Sequence, residues 1–83
     1  MALNKDDIVV MMFAYRYAIG RQTYAPGLVC DYIADKIPEM SQDQKELVMF
    51  EVQNSLKHEE YADDIAKDHM EQLLSRLQAF KSA

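Results

Sequence analysis

Asp64-Ile65-Ala66-Lys67-Asp68-His69-Met70-Glu71-Gln72-Leu73-Leu74-Ser75-Arg76-Leu77-Gln78-Ala79-Phe80 is the stretch on which the fold class turns. Its apolar members recur every three or four residues, at Ile65, Ala66, Met70, Leu73, Leu74, Leu77 and Phe80, with His69 on or beside the stripe. That interval places them on one face of an α-helix, and it predicts a helix over 64–80. Asp63 and Asp64 stand where acidic side chains can cap its first turn.

Moving back along the chain, Ser41 followed by Gln44 has the spacing of a capping box. It opens a helix over 42–57 that turns Leu47, Val48, Met49, Val52 and Leu56 inward. Before it, Pro26 suits a first helical turn, Thr23 can cap it, and Pro38 blocks continuation, which bounds a helix over 26–37. Leu28, Val29, Tyr32, Ile33 and Ile37 form the expected inner face of that helix, with Asp31 and Asp35 outside. At the start, Asn4 caps a helix over 5–19, and Gly20 offers a left-handed C-cap. The inner stripe of this first helix is Ile8, Met11, Met12, Tyr15, Ala18 and Ile19. Val9, Val10, Phe13, Ala14 and Tyr17 make its other sides apolar as well, so it is either central or shared with a partner chain. Nowhere does an alternating strand pattern or an internal repeat occur. The expectation is one all-α domain over 1–83, a compact bundle of about four helices.

Composition bounds the rest. Eighty-three residues support one core, because a chain of this size buries roughly 60–65% of the surface it exposes unfolded. The 49% hydrophobic content excludes a disordered tail, and Cys30, as the one cysteine, excludes an internal disulfide, which fits a reducing compartment. The N-terminal residues lack the charged flank of a signal peptide. The apolar run Ile8–Tyr15 is far shorter than the roughly 20 residues that cross a bilayer, so a cytoplasmic protein with no membrane partner is expected. Four bases balance four acids in residues 1–37, so residues 38–83 carry the whole net charge of -5. That acidic half argues against binding nucleic acid through its phosphates. Its scattered acids read as a solvated face, with a DNA-like acidic surface as the lesser reading.

Chemistry concentrates at the end of the first helix. Arg16, Tyr17, Gly20, Arg21 and Tyr24 place two guanidinium forks and two phenols around a glycine, and Arg16–Gly20 and Tyr17–Arg21 each stand at i, i+4. Such a set can hold a phosphate or carboxylate and stack on a base. The plainer alternative is that Arg16 or Arg21 pairs with Asp31 or Asp35, Gly20 caps the helix and the tyrosines pack. Val9, Met12 and Phe13 are the candidates for self-association, since the first helix has more apolar surface than one core needs. Six methionines are many for the length and suit core filling or an adaptable surface. His58-Glu59-Glu60 lacks the second histidine of a zinc-protease helix, and Asp63, Asp64 and Asp68 lack the order of a calcium loop. Cys30 has no nearby base in sequence. No catalytic residue, no metal ligand and no cofactor is therefore expected, and the chain reads as a non-enzyme.

Phe13-Ala14-Tyr15-Arg16-Tyr17-Ala18-Ile19-Gly20-Arg21-Gln22-Thr23-Tyr24-Ala25, followed by Val29 and Asp31-Tyr32-Ile33, resembles small proteins of bacteriophages and prophages. Those proteins share an Arg-Tyr-Ala-Leu-Gly-Arg-x-Thr-Tyr core and a last helix with a Trp before a Leu-Leu pair. Here Leu73 and Leu74 match the pair and Met70 stands in the place of the Trp. The resemblance implies a phage setting, in which small non-enzymatic proteins often inhibit bacterial defence by occupying an effector surface, as anti-CRISPR proteins do. Two alternatives accompany that expectation. One is an oligomeric sponge that holds a nucleotide second messenger on Arg and Tyr side chains. The other is a structural or assembly accessory of the particle. The expected partners are a host effector protein and further copies of this chain.

Overall fold

Four helices account for most of the chain in the computed structural model, which describes residues 3–21 and 25–82. They are α1 (Lys5–Ile19), α2 (Ala25–Lys36), α3 (Gln42–Lys57) and α4 (Asp64–Ser82), with a 3-10 turn over Ile37–Glu39 after α2. Among the described residues there is no strand. Pro38 falls inside that 3-10 turn, so the chain leaves α2 by tightening its helix before it breaks.

Local chemistry sets the starts. The Asn4 side chain accepts a hydrogen bond from the Asp7 amide at 2.8 Å, with Asp6 and Asp7 in the first turn of α1. Ser41 and Gln44 form a reciprocal capping box: the Gln44 amide donates to Ser41 Oγ at 3.2 Å and the Ser41 amide to Gln44 Oε1 at 2.9 Å. Asp63 Oδ1 accepts from the Ala66 amide at 2.9 Å and opens α4. The Thr23 cap expected for α2 lies outside the described residues.

The ends differ from expectation. Gly20 closes α1 in the right-handed region, at φ -85°, rather than as a left-handed cap. The left-handed position belongs instead to Glu59, at φ 54°, just past α3. There the Glu59 amide donates to the Leu56 carbonyl and the Glu60 amide to the Ser55 carbonyl, the paired bonds of a Schellman closure around a residue that is not glycine. The chain then crosses beneath α1, where the Ala62 amide donates to the Ile19 carbonyl at 2.7 Å.

Packing is uneven. α2 is central, lying against α4 on one side and α1 on the other, and α3 rests on α4, while α1 and α3 approach each other only marginally. Tyr15, Ile33, Ile37, Val48, Val52, Met70 and Leu77 are fully enclosed between them. Met11, Met40 and Met49 are also buried, so four methionines serve as core filling. Gly27 lets α2 lie close against α4, since a Cβ there would stand 3.0 Å from the His69 ring. Several expected inner-face residues point out instead: Leu28 and Tyr32 on α2, Leu47 on α3, and Ile65 and Phe80 on α4 are exposed. On α2 the buried line is Pro26, Cys30, Ile33 and Ala34, continued by Ile37 in the 3-10 turn, because the helix is gripped between α1 and α4.

Candidate functional site

The segment from Arg16 to Arg21 divides between two sides of α1 instead of converging. Arg16 leans toward α3, where its Nη2 donates to Glu51 Oε2 at 2.6 Å. The hydrogen bond to Glu51 raises its already high pKa, and Glu60 adds to the effect, so this guanidinium already faces two carboxylates. With its charge satisfied inside the chain, Arg16 is a clamp between α1 and α3 and a poor anchor for an anion. Neither arginine meets Asp31 or Asp35, the partners expected from spacing: those acids lie on the outer side of α2, whereas Arg16 points the other way.

Gly20 and Arg16 border a small recess of about 300 Å³ with Ile19, Ser55 and Glu60. A Cβ at Gly20 would come to 3.3 Å from the Arg16 carbonyl, which makes this a close turn more than an opening for a ligand. Behind the recess wall, Ser55 Oγ donates back to the Glu51 carbonyl at 2.8 Å. The Tyr15 hydroxyl is buried without a hydrogen bond, and burial pushes its pKa strongly up, with Ser55 offsetting part of the shift.

Tyr17 and Arg21 face solvent, and the Arg21 guanidinium lies 4.9 Å from the centre of the Tyr17 ring. The last turn of α1 and the residue just past its cap thus present an aromatic ring and a cation together. Tyr24 lies outside the described residues.

Val9, Met12 and Phe13, singled out for self-association, do come together. With Ile8, Arg16, Leu47 and Glu51 they line a groove of about 260 Å³ between α1 and α3. Phe13 is 72% exposed, and on the α3 side Leu47 and Phe50 stand out at 44% and 60%. A second groove of about 620 Å³ runs between α1 and α2, bordered by Val10, Ala14, Leu28 and Tyr32 along its length and by Asp7, Lys36 and Glu39 at one end. Leu28 and Tyr32 are expected from sequence on the inner face of their helix, because their helical spacing is equally that of a core stripe, and Phe50 is assigned to no face.

Cys30 is buried and its thiol is pushed up to about 12, chiefly by burial, which favours the protonated form at neutral pH. Among the described residues no group of three His, Cys, Asp or Glu side chains is placed to hold a metal ion. Among them, too, no helix is long and apolar enough to cross a membrane. Compared with known proteins, the chain matches no family model, no curated protein and no solved structure.

Proposed function

We propose that this chain is a non-enzymatic binding protein that lays its α1–α3 face over a partner protein, in the manner of a phage or prophage inhibitor of bacterial defence. The observation that carries this reading is the exposed apolar set Val9, Phe13 and Leu47 lining the α1–α3 groove, with Phe50 exposed one turn beyond Leu47 on α3. Aromatic side chains that protrude beside a groove are the anchors on which protein interfaces concentrate their energy. Exposed Asp43 and Glu46 flank this set on α3, within the acidic half of the chain, so the complementary surface is apolar at its centre and basic at its rim. Defence effectors that grip nucleic acid carry surfaces of that chemistry. The resemblance of residues 13–33 to small phage proteins supports the setting, and an effector of host defence is the partner it implies.

The nucleotide-sponge reading needs two free guanidinium groups, and Arg16 is already engaged by Glu51. Plating efficiency of phage on bacteria that carry a defined defence system tests the proposal. Expression of the chain is expected to restore plating against at least one system. Phe13→Asp combined with Phe50→Asp is expected to abolish that rescue while leaving the helical spectrum and melting transition in place. Full rescue by the double variant, no rescue by the parent chain, or a melting shift with a cyclic or linear nucleotide would overturn it.

A further inference from the structure

On the opposite flank of α1, Asp7, Val10, Ala14, Tyr17 and Arg21 follow one another at intervals of three and four, and all five are exposed. That interval draws a nearly straight seam along a helix, the pattern by which one helix packs along another. The seam is unpartnered within the chain, and Val10 and Tyr17 are 65% and 64% exposed. Its composition is symmetric about the middle. Ala14, the smallest residue, lies at the centre, an apolar or aromatic side chain stands about one turn away on each side, and the seam ends in an acid on one side and a base on the other.

From this arrangement we infer that α1 is the interface of a homodimer, in which two copies of the helix pack antiparallel across a two-fold axis at Ala14. Residues seven positions either side of the axis then face each other, so Asp7 of each copy meets Arg21 of the other, twice by symmetry. Val10 of one copy then lies beside Tyr17 of the other, one position short of exact opposition, and Ala14 meets Ala14, where two small side chains let the backbones come close. Other arrangements lose this match: parallel packing opposes Asp7 to Asp7, and an axis at Phe13 opposes Asp6 to Gly20. The charge pairing therefore selects both the orientation and the register.

Arg21 lies two residues past the helix, yet its guanidinium stacks on Tyr17 and so stays on this face. Beside the seam, Leu28 and Tyr32 of α2 widen the apolar surface across the larger groove. A second copy of α1 would cover both. This interface uses a different side of α1 from the α1–α3 face, and it is independent of which partner that face binds.

Sedimentation equilibrium at tens of micromolar tests the inference, with the parent chain expected at twice its monomer mass. Ala14→Arg is expected to give the monomer mass with an unchanged helical spectrum. Asp7→Arg and Arg21→Asp alone should each raise the dissociation constant at least about tenfold, since both symmetry-related charge pairs are lost in the homodimer of either variant. Mixing those two variants should restore tight association as a heterodimer, because each mismatched end then meets its opposite. Ala14→Cys should form an interchain disulfide with diamide as oxidant, whereas Gln53→Cys, exposed on α3, should not. The buried native Cys30 does not compete. A monomeric parent, a dimer indifferent to Ala14→Arg, or a mixture that associates no better than its components would overturn the inference.

Discussion

Arg16 of α1 and Glu51 of α3 are joined by a 2.6 Å charged hydrogen bond between two helices that otherwise barely touch. The arginine side chain is 64% exposed and the glutamate 18%, so solvent screens one end of the pair and not the other. Removing either partner is expected to cost about 0.5–1 kcal/mol, near the upper part of the range for surface pairs. A double-mutant cycle with Arg16→Ala and Glu51→Gln, read by urea denaturation, checks it. A coupling energy within error of zero would show that the pair is geometry without stabilisation.

Leu73 and Ile65 sit eight residues apart on α4 and both belong to its apolar stripe, yet Leu73 is 2% exposed and Ile65 66%. Leu73→Ala is expected to cost about 2–4 kcal/mol, a large part of the stability of so small a domain. Ile65→Ala should stay within about 0.5 kcal/mol of the parent. Equal denaturation midpoints for the two variants would contradict the observed face of α4.

These two residues also mark how far the sequence could be read. Helix limits followed from local signals: the Asn4 cap, the Ser41–Gln44 box and the Asp63 cap act within one turn, and the four expected helices match those observed to within two residues. Facing was harder to read. Apolar spacing says which residues share a side but not whether a helix stands on that side, which is why Leu28, Tyr32, Leu47, Ile65 and Phe80 emerge at the surface. Partners across the fold were not legible at all. Glu51 is 35 positions from Arg16, and nothing in the spacing prefers it to Asp31 or Asp35.

Glu59 holds φ at 54°, a left-handed conformation that side chains other than Gly, Asn and Asp adopt at a cost of about 1 kcal/mol or more. The Schellman bonds from Glu59 and Glu60 to Leu56 and Ser55 hold it there. Glu59→Gly is expected to stabilise the chain by about 0.5–1 kcal/mol, since glycine takes this φ without strain. Its thermal midpoint should rise by a few degrees. A lower midpoint would show that the Glu59 side chain contributes more than its backbone strain costs.

Cys30 ionises near pH 9 when unfolded and, pushed up by burial, near pH 12 in the fold. Below pH 9 both states hold the proton and the native thiol contributes its full stability. Between pH 9 and 12 the unfolded chain releases the proton while the folded chain keeps it, so stability falls by up to about 1.4 kcal/mol per pH unit. The raised pKa of buried Tyr15 adds a loss of the same sign from pH 10 upward. Cys30→Ala, although less stable at pH 7, is expected to lose less stability between pH 8 and 10.5 than the parent does. Parallel pH profiles for the two proteins would mean that the thiol ionises as readily in the fold as outside it.

Gly27 of α2 lies against the His69 ring of α4, and two opposing effects decide what an added methyl does there. Gly27 lies in the first turn of α2, where an alanine is favoured over glycine by up to about 0.5–1 kcal/mol, because the unfolded chain loses less freedom. Against that, the new Cβ would stand 3.0 Å from both Cε1 and Nε2 of His69, closer than atoms settle without movement. The ring end of a half-buried histidine can shift by tenths of an ångström but must give up some packing to do so. Gly27→Ala alone is therefore expected to leave stability within about 0.5 kcal/mol of the parent, the gain and the clash offsetting each other. His69→Ala alone should cost about 1 kcal/mol for lost packing against α2. In the double variant the clash is gone and the helical gain remains, so its stability should exceed the sum of the single effects by about 0.5–1 kcal/mol. Chemical denaturation of the four proteins measures that difference, and strict additivity would show that Gly27 and His69 do not press on each other in solution.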